Sequence, residues 1–533
     1  MRIAIALSLL LVALLVGGLL LLPRLLAWDD YREELTAQAA ALTGQSVAIQ
    51  GRIDLELLPR PTLTLGRATL SGAAPAGAGG DLRVDRLDLR LKPLPLLAGR
   101  FEVDAIRLVR PVLQVAEPAD ASSAALALAG GGIVLPLAAD GPRRLSVVDG
   151  RVLLDGAGAA PGHAIEAIDL ELVAQGANGP YELTGAFVVA AQPFDFHAEL
   201  GQTAAAAWST LQLEVGARGG ESPTRASFRG RSWSDPGAPR LRGDLILSGS
   251  DARSGLAALD GVLGLRLPPL PDWLAAGFRL SGRLELANPA AALDDLRLAL
   301  GGVEVAGRLR LTRGASPTLD LQLNVPRLQV PEVVLPDGTG LAALAALAAE
   351  VAGEIDLSIG ELAWRGGLIQ RVRTTLALDG GGGLVVEQAR ATLPGQTGLG
   401  FTGALVGQGG EAALEGQLTL VASDLRSVLA WLDLAPAAIP EGRLRTMSLA
   451  SGLTVSDGAL RFIDGELRVD ASRLAGSLAL RLGARTQLAG ALTLDRLDLD
   501  AYWPDGAVRQ LVDRTLAVFG QLDAAIEIGR AHV

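Results

Sequence analysis

The chain has 533 residues, of which 49% are hydrophobic and only 4% aromatic, and it carries a formal net charge of −11. It contains no cysteine, which excludes a disulfide framework, thiol chemistry and lipoprotein attachment. The negative charge, and the dispersal of the arginines among acidic residues, argue against a nucleic-acid partner.

Residues 3–22 form an almost unbroken apolar run that only Ser8 interrupts. Twenty residues at about 1.5 Å each span roughly 30 Å, which is the hydrocarbon thickness of a bilayer. We therefore predict a membrane anchor over residues 1–24 with its N-terminus in the cytoplasm. A cleaved signal peptide is the alternative, although no small-x-small cleavage site follows the run. Representative apolar positions of the anchor are Ile3, Leu10, Leu15 and Leu22.

A short helix is predicted over residues 29–42, because Asp29 or Asp30 can cap its start and Gly44 can end it. Its apolar face either packs on the first strands or lies at the membrane surface. The sequence leaves both arrangements open.

Residues 43–70 set the plan for much of the chain. Gly44 and Gly51 are predicted turns, Pro59-Arg60-Pro61 is a predicted corner, and the apolar residues between them share one parity. Alternation with a period of two predicts strands with one apolar and one polar face. The positions on the apolar parity are Val47, Ile49, Ile53, Leu55, Leu57, Leu63 and Leu65.

This stretch resembles the N-terminal signature of the AsmA family, in which a Thr-Gly pair precedes alternating strands that meet at a Pro-x-Pro corner. Gln45 departs from the pattern, since the family usually has Arg or Lys at that position. Residues 101–115, 143–156 and 353–378 are similar to further strand elements of the family. The resemblance thus extends over most of the chain.

The alternation continues after residue 80. Residues 81–115 predict further strands, and residues 121–141, which are rich in Ala and Gly, predict a loop. Asp149-Gly150 predicts the turn of a hairpin. Strands are then predicted to about residue 230.

A long internal repeat follows. The sequence from Gly243 aligns with the sequence from Gly416 at a constant shift, and each copy predicts a strand followed by a helical turn capped by Asp251 or Asp424. Farther along, the segment from Gly307 matches the segment from Gly476. Repetition of this kind is typical of an array that is extended unit by unit.

The predicted fold is mainly β: an N-terminal transmembrane helix followed by an elongated, curled antiparallel β-sheet, or β-groove, with a few short helices. The predicted segments are the anchor at 1–24, an AsmA-like helix with the first strands at 28–120, a groove continuation at 142–240, the first repeat copy at 241–335, a connecting helix with AsmA-like strands at 336–413, the second copy at 414–527, and a non-native tail at 528–533.

The tail is singled out because a common sequencing-library adapter encodes its six residues, Ile-Gly-Arg-Ala-His-Val, directly before a stop codon. The alternative is a chance match.

Motifs for enzymatic chemistry are nearly absent. The sequence has neither a Gly-Lys phosphate loop nor a Gly-x-Ser-x-Gly elbow. The histidines, His163, His197 and His532, are too few and too scattered for a metal cluster or a triad. We therefore expect no enzymatic activity, no cofactor and no metal. Three tryptophans, Trp364, Trp431 and Trp503, are predicted either to contact lipid or to pack under turns.

Many amphipathic strands need apolar material opposite their inner faces. A sandwich supplies a second sheet, whereas a single curled sheet leaves a lumen for a ligand. The AsmA resemblance favours the lumen, since the family is related to repeating-β-groove, bridge-like lipid carriers. In the segment from Gly307, the arginines Arg308 and Arg310 alternate with apolar residues. The candidate groove positions here are Val303, Val305, Leu309 and Leu311.

The resemblance implies a single-pass protein of the bacterial inner membrane whose bulk lies in the periplasm. It implies a carrier of phospholipid from the inner to the outer membrane, and hence a role in outer-membrane biogenesis. The expected partners are phospholipid, the inner membrane, and outer-membrane or periplasmic proteins. The alternatives are a scaffold for outer-membrane assembly that moves no lipid, or a secreted β-sandwich binding module if the N-terminal helix is cleaved.

Overall fold

The computed structural model describes Thr36 and most of residues 46–530. Apart from gaps of one or two residues, its gaps are 72–79, 98–101, 117–142, 156–163, 204–207, 220–223, 234–239, 254–275, 313–315, 331–344, 408–411, 433–438, 482–485 and 496–521. The predicted anchor with Ile3, Leu10, Leu15 and Leu22, the predicted helix at 29–42, the predicted loop at 121–141, Trp503 and residues 531–533 lie outside the described residues.

The chain divides into two compact units, and β14 (Ala290–Leu300) crosses the division. Unit 1 comprises Met1–Leu270 and Ala275–Ala291. Its strands are β1 (Ser46–Ile49), β2 (Ile53–Glu56), β3 (Thr62–Ser71), β4 (Gly80–Leu91), β5 (Val103–Ala116), β6 (Arg144–Asp155), β7 (Ala164–Ala174), β8 (Tyr181–Val189), β9 (Gln192–Leu200), β10 (Trp208–Ala217), β11 (Arg225–Trp233), β12 (Arg240–Gly249) and β13 (Phe278–Ala287), with the short helix α1 (Pro93–Leu97) between β4 and β5.

Unit 2 comprises Pro271–Leu274 and Ala292–Val533. Its strands are β15 (Val303–Thr312), β16 (Thr318–Gln329), β17 (Ala352–Trp364), β18 (Gly367–Asp379), β19 (Leu384–Leu393), β20 (Thr397–Val406), β21 (Ala413–Ala422), β22 (Met447–Ser456), β23 (Ala459–Val469), β24 (Ser472–Arg481), β25 (Thr486–Leu494) and β26 (Leu522–Arg530). A 3-10 turn (Pro394–Gln396) precedes β20, helix α2 (Leu425–Trp431) follows β21, and a further helical turn covers 345–349.

Within each unit the strands form one sheet in sequence order, except that β1 and β2 both pair with β3, and no described pairing joins the first strand to the last. The prediction of a mainly β chain with few helices is therefore confirmed. The prediction of a purely antiparallel sheet is wrong, because β5–β6, β16–β17 and β25–β26 pair in parallel. Each parallel pair is separated by more than twenty residues of chain, which is enough for the crossover that parallel neighbours require.

Two predicted turns are instead irregularities within the sheet. Asp149-Gly150 lies inside the continuous strand β6, where Asp149 has a φ of 54° and the pairing with β7 shifts register. Gly51 separates β1 from β2 without reversing the chain, since both strands run antiparallel to β3. A Cβ on Gly51 would lie 2.3 Å from the carbonyl of Gly66, so glycine is needed for close approach rather than for a turn.

The internal repeat reappears as matching geometry. In β11–β12, Gly230 and Gly243 face each other, and the Phe228 ring lies over both, with its Cζ 2.7 Å from where either Cβ would be. The equivalent pair in β20–β21 is Gly403 and Gly416, which lie under Phe401 in the same way. A ring over a pair of facing glycines replaces the packing that the missing side chains cannot provide.

A second match in the repeat concerns Gly307 and Gly476. A Cβ on either residue would lie 2.0–2.1 Å from a carbonyl oxygen of the next strand, at Gln322 and Ala491 respectively. The two predicted copies therefore share their special backbone positions as well as their sequence.

Helix α2 confirms the predicted Asp-capped turn of the second copy. Asp424 accepts hydrogen bonds from the Ser427 backbone N–H at 3.4 Å and from its Oγ at 2.5 Å. Trp431, at the end of the helix, packs edge-on against Trp364 and donates from Nε1 to the Trp364 carbonyl oxygen at 3.1 Å. These two tryptophans thus pack under a turn.

The predicted boundaries of the other segments remain predictions. Ile528 to Arg530 lie in β26, which pairs with β25, but this says nothing of the origin of the tail. Among the described residues, no helix is both long enough and apolar enough to span a membrane.

Candidate functional site

The candidate positions near the N-terminus come together in one cluster. Ile49, Ile53, Leu55, Leu63 and Leu65 are 5–7% exposed and pack with Leu91, while Leu57 is partly buried against them. The cluster is bounded by Leu96 of α1 and Val103 of β5. The side chain of Val47 lies outside the described residues. We call this set the N-terminal cluster, and it is a packed core.

The candidates on β15 lie in unit 2 and have a different environment. Val303, Val305, Leu309 and Leu311 lie on one face of the strand and are all partly buried. On the other face Arg310 is exposed, whereas Arg308 is partly buried and its Nε is buried without a hydrogen-bond partner. The polar face of β15 is thus not uniformly wet.

The cross-strand register extends the apolar face of unit 1 through its whole sheet. Directly opposed residues on neighbouring strands point to the same face, so they form continuous rows. Row 1, from β2 to β13, consists of Leu55, Leu63, Leu89, Ile106, Leu145, Leu172, Leu183, Ala198, Leu213, Phe228, Leu245 and Gly282. Row 2, beside it, consists of Ile53, Leu65, Leu87, Leu108, Val147, Leu170, Gly185, Phe196, Val215, Ala226, Leu247 and Leu280.

Unit 2 contains two rows of the same kind from β15 to β25. Row 3 consists of Leu311, Leu319, Gly353, Leu378, Leu384, Leu405, Leu414, Val455, Leu460, Leu480 and Leu488. Row 4 consists of Leu309, Leu321, Ile355, Leu376, Val386, Gly403, Gly416, Leu453, Phe462, Leu478 and Gly490.

All the residues of the four rows are apolar, including those at the parallel pairings and the bulges. Strands lie about 4.8 Å apart, so each row is about 50 Å long, and neighbouring rows are about 7 Å apart. One leaflet of a bilayer is only about 15 Å deep in hydrocarbon. Each row is therefore longer than an extended lipid chain.

Rows 2 and 4 differ from an ordinary core in their exposure. From β4 onward every residue of row 2 is partly buried, and in row 4 only Val386 is fully buried. Leucine and valine that stay partly exposed along an entire face keep roughly 1 kcal/mol each of burial free energy unrealised. Such a face can gain by contact with further apolar material.

The opposite face of the same strands is polar and exposed. One row of it in unit 1 consists of Glu182, Glu199, Gln212, Arg229, Asp244 and Arg283. Beside this row, Asp195 accepts hydrogen bonds from the guanidinium of Arg218, which lowers the pKa of the Asp195 carboxyl. The two faces of the sheet therefore differ sharply in polarity.

Short helices cover parts of the apolar rows. The helical turn at 345–349 puts Ala348, which is 0% exposed, against Leu378, Leu384 and Leu405 of row 3. The Gly382 N–H donates to the Ala348 carbonyl oxygen at 3.1 Å, which fixes this turn on the end of β18. Row 3 is thus covered at β18–β20, and outside this stretch all its residues except the buried Val455 are partly exposed.

Within the part of the chain that the structure describes, no group of three or more His, Cys, Asp or Glu side chains is arranged to hold a metal ion. The Gly380–Gly383 run is a turn in which Asp379 accepts from the Gly381 and Gly383 N–H groups at 2.7 and 2.8 Å. Those bonds lower the pKa of Asp379. The backbone of the glycine run therefore binds the carboxylate of Asp379, the residue directly before it.

Residues 1–120 match the family model of the AsmA family. The predicted resemblance to the AsmA family is confirmed over these residues. The match covers the segment with the alternating strands and the Pro-Arg-Pro corner, and the family-like elements beyond residue 120 lie outside it. No curated protein and no solved structure matches the chain.

Sequence reasoning identified only the first strands of the rows in each unit. It found the N-terminal strands of unit 1 and β15 of unit 2, but not the rows that continue from them. Alternation in β7, β10 and β12 carried the signal for those rows, because Leu170, Leu213 and Leu245 all lie on the apolar parity of their strands. The register that aligns them, however, depends on bulges that no local motif marked.

Proposed function

We propose that the apolar rows bind the acyl chains of lipids, and that the chain carries phospholipid from the inner to the outer membrane of a bacterium. The observation that supports this is the continuity of the rows in each unit, together with the partial exposure of rows 2 and 4. Membership of the AsmA family is consistent with such a groove. The periplasmic location and the inner-membrane anchor are parts of the same proposal.

The energetics explain why a continuous track is useful. Each methylene group exposed to water costs about 0.8 kcal/mol, so a two-chain phospholipid faces roughly 25 kcal/mol on leaving a bilayer. A barrier of that height corresponds to an escape time on the order of days. A partly exposed apolar face removes most of the barrier by replacing water around the chains, and it needs no catalytic side chain.

Photo-cross-linking at neighbouring positions of β10 tests the proposal. Benzoylphenylalanine at Leu213, in row 1, should form adducts with lipid, and the same residue at exposed Gln212 should not. The adducts are identified by mass spectrometry of the full chain purified from membranes. Equal lipid labelling at the two positions, or none at either, would refute a lipid path on this face.

A functional comparison on β15 complements the cross-linking. Leu309→Glu places a charge in row 4, whereas Arg310→Gln changes an exposed side chain 3.7 Å from Asp294. Arg310 is a better control than Arg308, whose Nε is buried. Leu309→Glu should abolish rescue of a strain that lacks the protein and its paralogues, and Arg310→Gln should rescue it.

The second candidate is a scaffold for outer-membrane assembly that moves no lipid. The N-terminal cluster favours this candidate, because its apolar side chains pack against one another and leave no exposed apolar face there for a lipid. Equal rescue by both β15 variants would support the scaffold. A chain that cross-links to lipid at Leu213 but not at Gln212 would exclude it.

A further inference from the structure

One end of unit 1 brings together the β2–β3 connection and the β4–β5 connection. The register pairs Glu56 with Thr62 and Thr62 with Arg90, so both connections leave the sheet on the same side. A backbone hydrogen bond of 2.8 Å from the Leu91 N–H to the Pro61 carbonyl oxygen ties them to each other. They form a single tip of the unit.

Each connection of this tip exposes a leucine. Leu94 of α1 is 79% exposed, the highest value among the exposed large hydrophobic residues of the described chain, and Leu58 is 38% exposed. Leu96 of α1 and Leu57, by contrast, pack against the N-terminal cluster. Each connection therefore packs one leucine against the N-terminal cluster and exposes another leucine to solvent.

Cationic side chains flank the two exposed leucines. Arg60 is exposed, and Lys92 is partly exposed with its Nζ 3.3 Å from Glu102 Oε2. Glu56, Asp104 and Arg90 also lie at this end of the strands, so the tip has three cationic side chains and three carboxylates and the local charge is close to balanced. Long basic side chains can keep their charged ends at the level of phosphate groups while nearby apolar side chains enter the acyl region.

We infer that this tip, comprising Leu58, Arg60, Lys92 and Leu94, docks on the surface of a phospholipid bilayer. Leu58 and Leu94 insert below the headgroups, and Arg60 and Lys92 lie among the phosphates. Two separate leucines among charges suit a lipid surface better than a protein partner, because a stable protein interface buries about 800 Å² on each side around an apolar centre. The docking rests on the proposed function, for which it supplies the point where the track meets a membrane.

The predicted anchor is compatible with this placement. Of the 23 residues between Leu22 and Ser46, the predicted helix at 29–42 spans about 21 Å and the other nine can extend to about 30 Å, and together these exceed the length of the first strands. An anchored chain can therefore bring either end of its first strands to the bilayer.

The absence of cysteine from the sequence allows a site-specific test with the full chain. Leu94→Cys is labelled with an environment-sensitive nitrobenzoxadiazole dye and reconstituted into vesicles of phosphatidylethanolamine and phosphatidylglycerol. Ser71→Cys, at the opposite end of β3 and also exposed, is the matched control. The dye at position 94 should be quenched by nitroxide groups on the upper acyl chains and protected from aqueous iodide, whereas the dye at position 71 should respond to iodide alone.

A second substitution measures the energetics. Leu58→Asp in the Leu94→Cys background should lower the ratio of docked to undocked tip by about tenfold or more, which is the partitioning of one leucine. Because the local charge is nearly balanced, the quenching should persist at high salt. Leu58 is exposed, so an unchanged thermal unfolding curve confirms that the variant folds.

Identical quenching at positions 94 and 71 would overturn the docking. So would protection from iodide without quenching by the lipid nitroxides, because that result indicates a protein partner at the tip. The proposed function is scored separately by lipid adducts at Leu213. Lipid adducts at position 213 without quenching at position 94 would support the lipid track and reject the docking. Quenching at position 94 without lipid adducts at position 213 would support the docking and reject the lipid track.

Discussion

Leu55 and Leu245 lie in the same apolar row of unit 1, but their environments differ. Leu55 is 6% exposed in the N-terminal cluster, where α1 and β5 supply further apolar side chains. Leu245 lies on β12 and is partly buried. The same alternation thus produces a packed core at the start of row 1, whereas at its end buried Phe228 lies opposite the partly exposed Leu245. What distinguishes the two regions is the material packed on the face.

Unit 2 contains the same contrast within row 3. Leu378, Leu384 and Leu405 are 3–7% exposed beneath the helical turn at 345–349, while Leu319 and Leu480 are partly exposed. The covered stretch is a local core formed by an inserted helix. Partly exposed stretches in both units are the places where a ligand has something to gain.

The largest expected effect sharpens this contrast in unit 1. Leu63→Ala removes a side chain that is 6% exposed and should lower the local free energy of unfolding by about 3 kcal/mol. Leu247→Ala, in the partly exposed part of row 2, should cost only about 1 kcal/mol. Hydrogen exchange of peptides from β2–β4 and β11–β13 measures both. Equal costs would mean that the two regions are packed alike.

A substitution in the helical turn at 345–349 should disrupt its packing on the covered stretch of row 3. Ala348→Leu overfills the contact of the 345–349 turn with the sheet and should cost about 2 kcal/mol locally. The measurement is hydrogen exchange of the Gly382 amide, which donates to Ala348 and should exchange roughly thirtyfold faster. The control is Ala346→Leu, on the exposed side of the turn. Comparable acceleration by both variants would contradict the packing described here.

The two repeat copies offer a smaller comparison. Phe228→Leu and Phe401→Leu should each cost about 1.5 kcal/mol, less than truncation to alanine, because each removes the ring that covers a facing glycine pair. We expect the two costs to agree to within about 0.5 kcal/mol. Local hydrogen exchange on β11–β12 and β20–β21 compares them. A large cost in one copy alone would show that only one pair depends on its ring.

The smallest effect concerns acid. The hydroxyl of Ser427 donates to Asp424 and lowers the pKa of that carboxyl below its ordinary value of 3.8. The stabilisation of α2 is therefore fully present above pH 3.8 and is lost as the pH falls through the lower, folded-state pKa. Asp424→Asn keeps a capping oxygen but cannot titrate, so it should remove this acid dependence. Tryptophan fluorescence, referenced to Trp431→Phe, follows the helix, and an unchanged acid transition in Asp424→Asn would contradict the assignment.

The sequence predicted the strands and their faces well where alternation is uninterrupted. The apolar residues of β2, β3 and β15 lie on the faces that their parity indicates. Asp149-Gly150 was misleading, because the pair that favours a hairpin turn also suits a bulge, where Asp149 adopts a positive φ within β6.

Parallel pairing and covering helices were beyond local reasoning. Nothing in the residues of β16 and β17 specifies their relative direction, which depends on the path of the connection between them. The composition of the 345–349 turn, nearly all alanine, likewise does not reveal that it covers Leu384. Exposure of a face depends on tertiary contacts that alternation does not encode.

The glycine pairs beneath Phe228 and Phe401 have a consequence for how such a chain can change in length. Each begins a run of seven strands that ends in a parallel pairing, β11–β17 and β20–β26. The strand before each run places an apolar residue opposite the phenylalanine. Leu213 of β10 pairs with Phe228, and Ala389 of β19 pairs with Phe401. Successive runs start nine strands apart, at β11 and β20, so an in-frame copy of β11–β19 can join without a register change, and nine strands add about 40 Å. The length of the sheet is then set by how many times one genetic module has been copied.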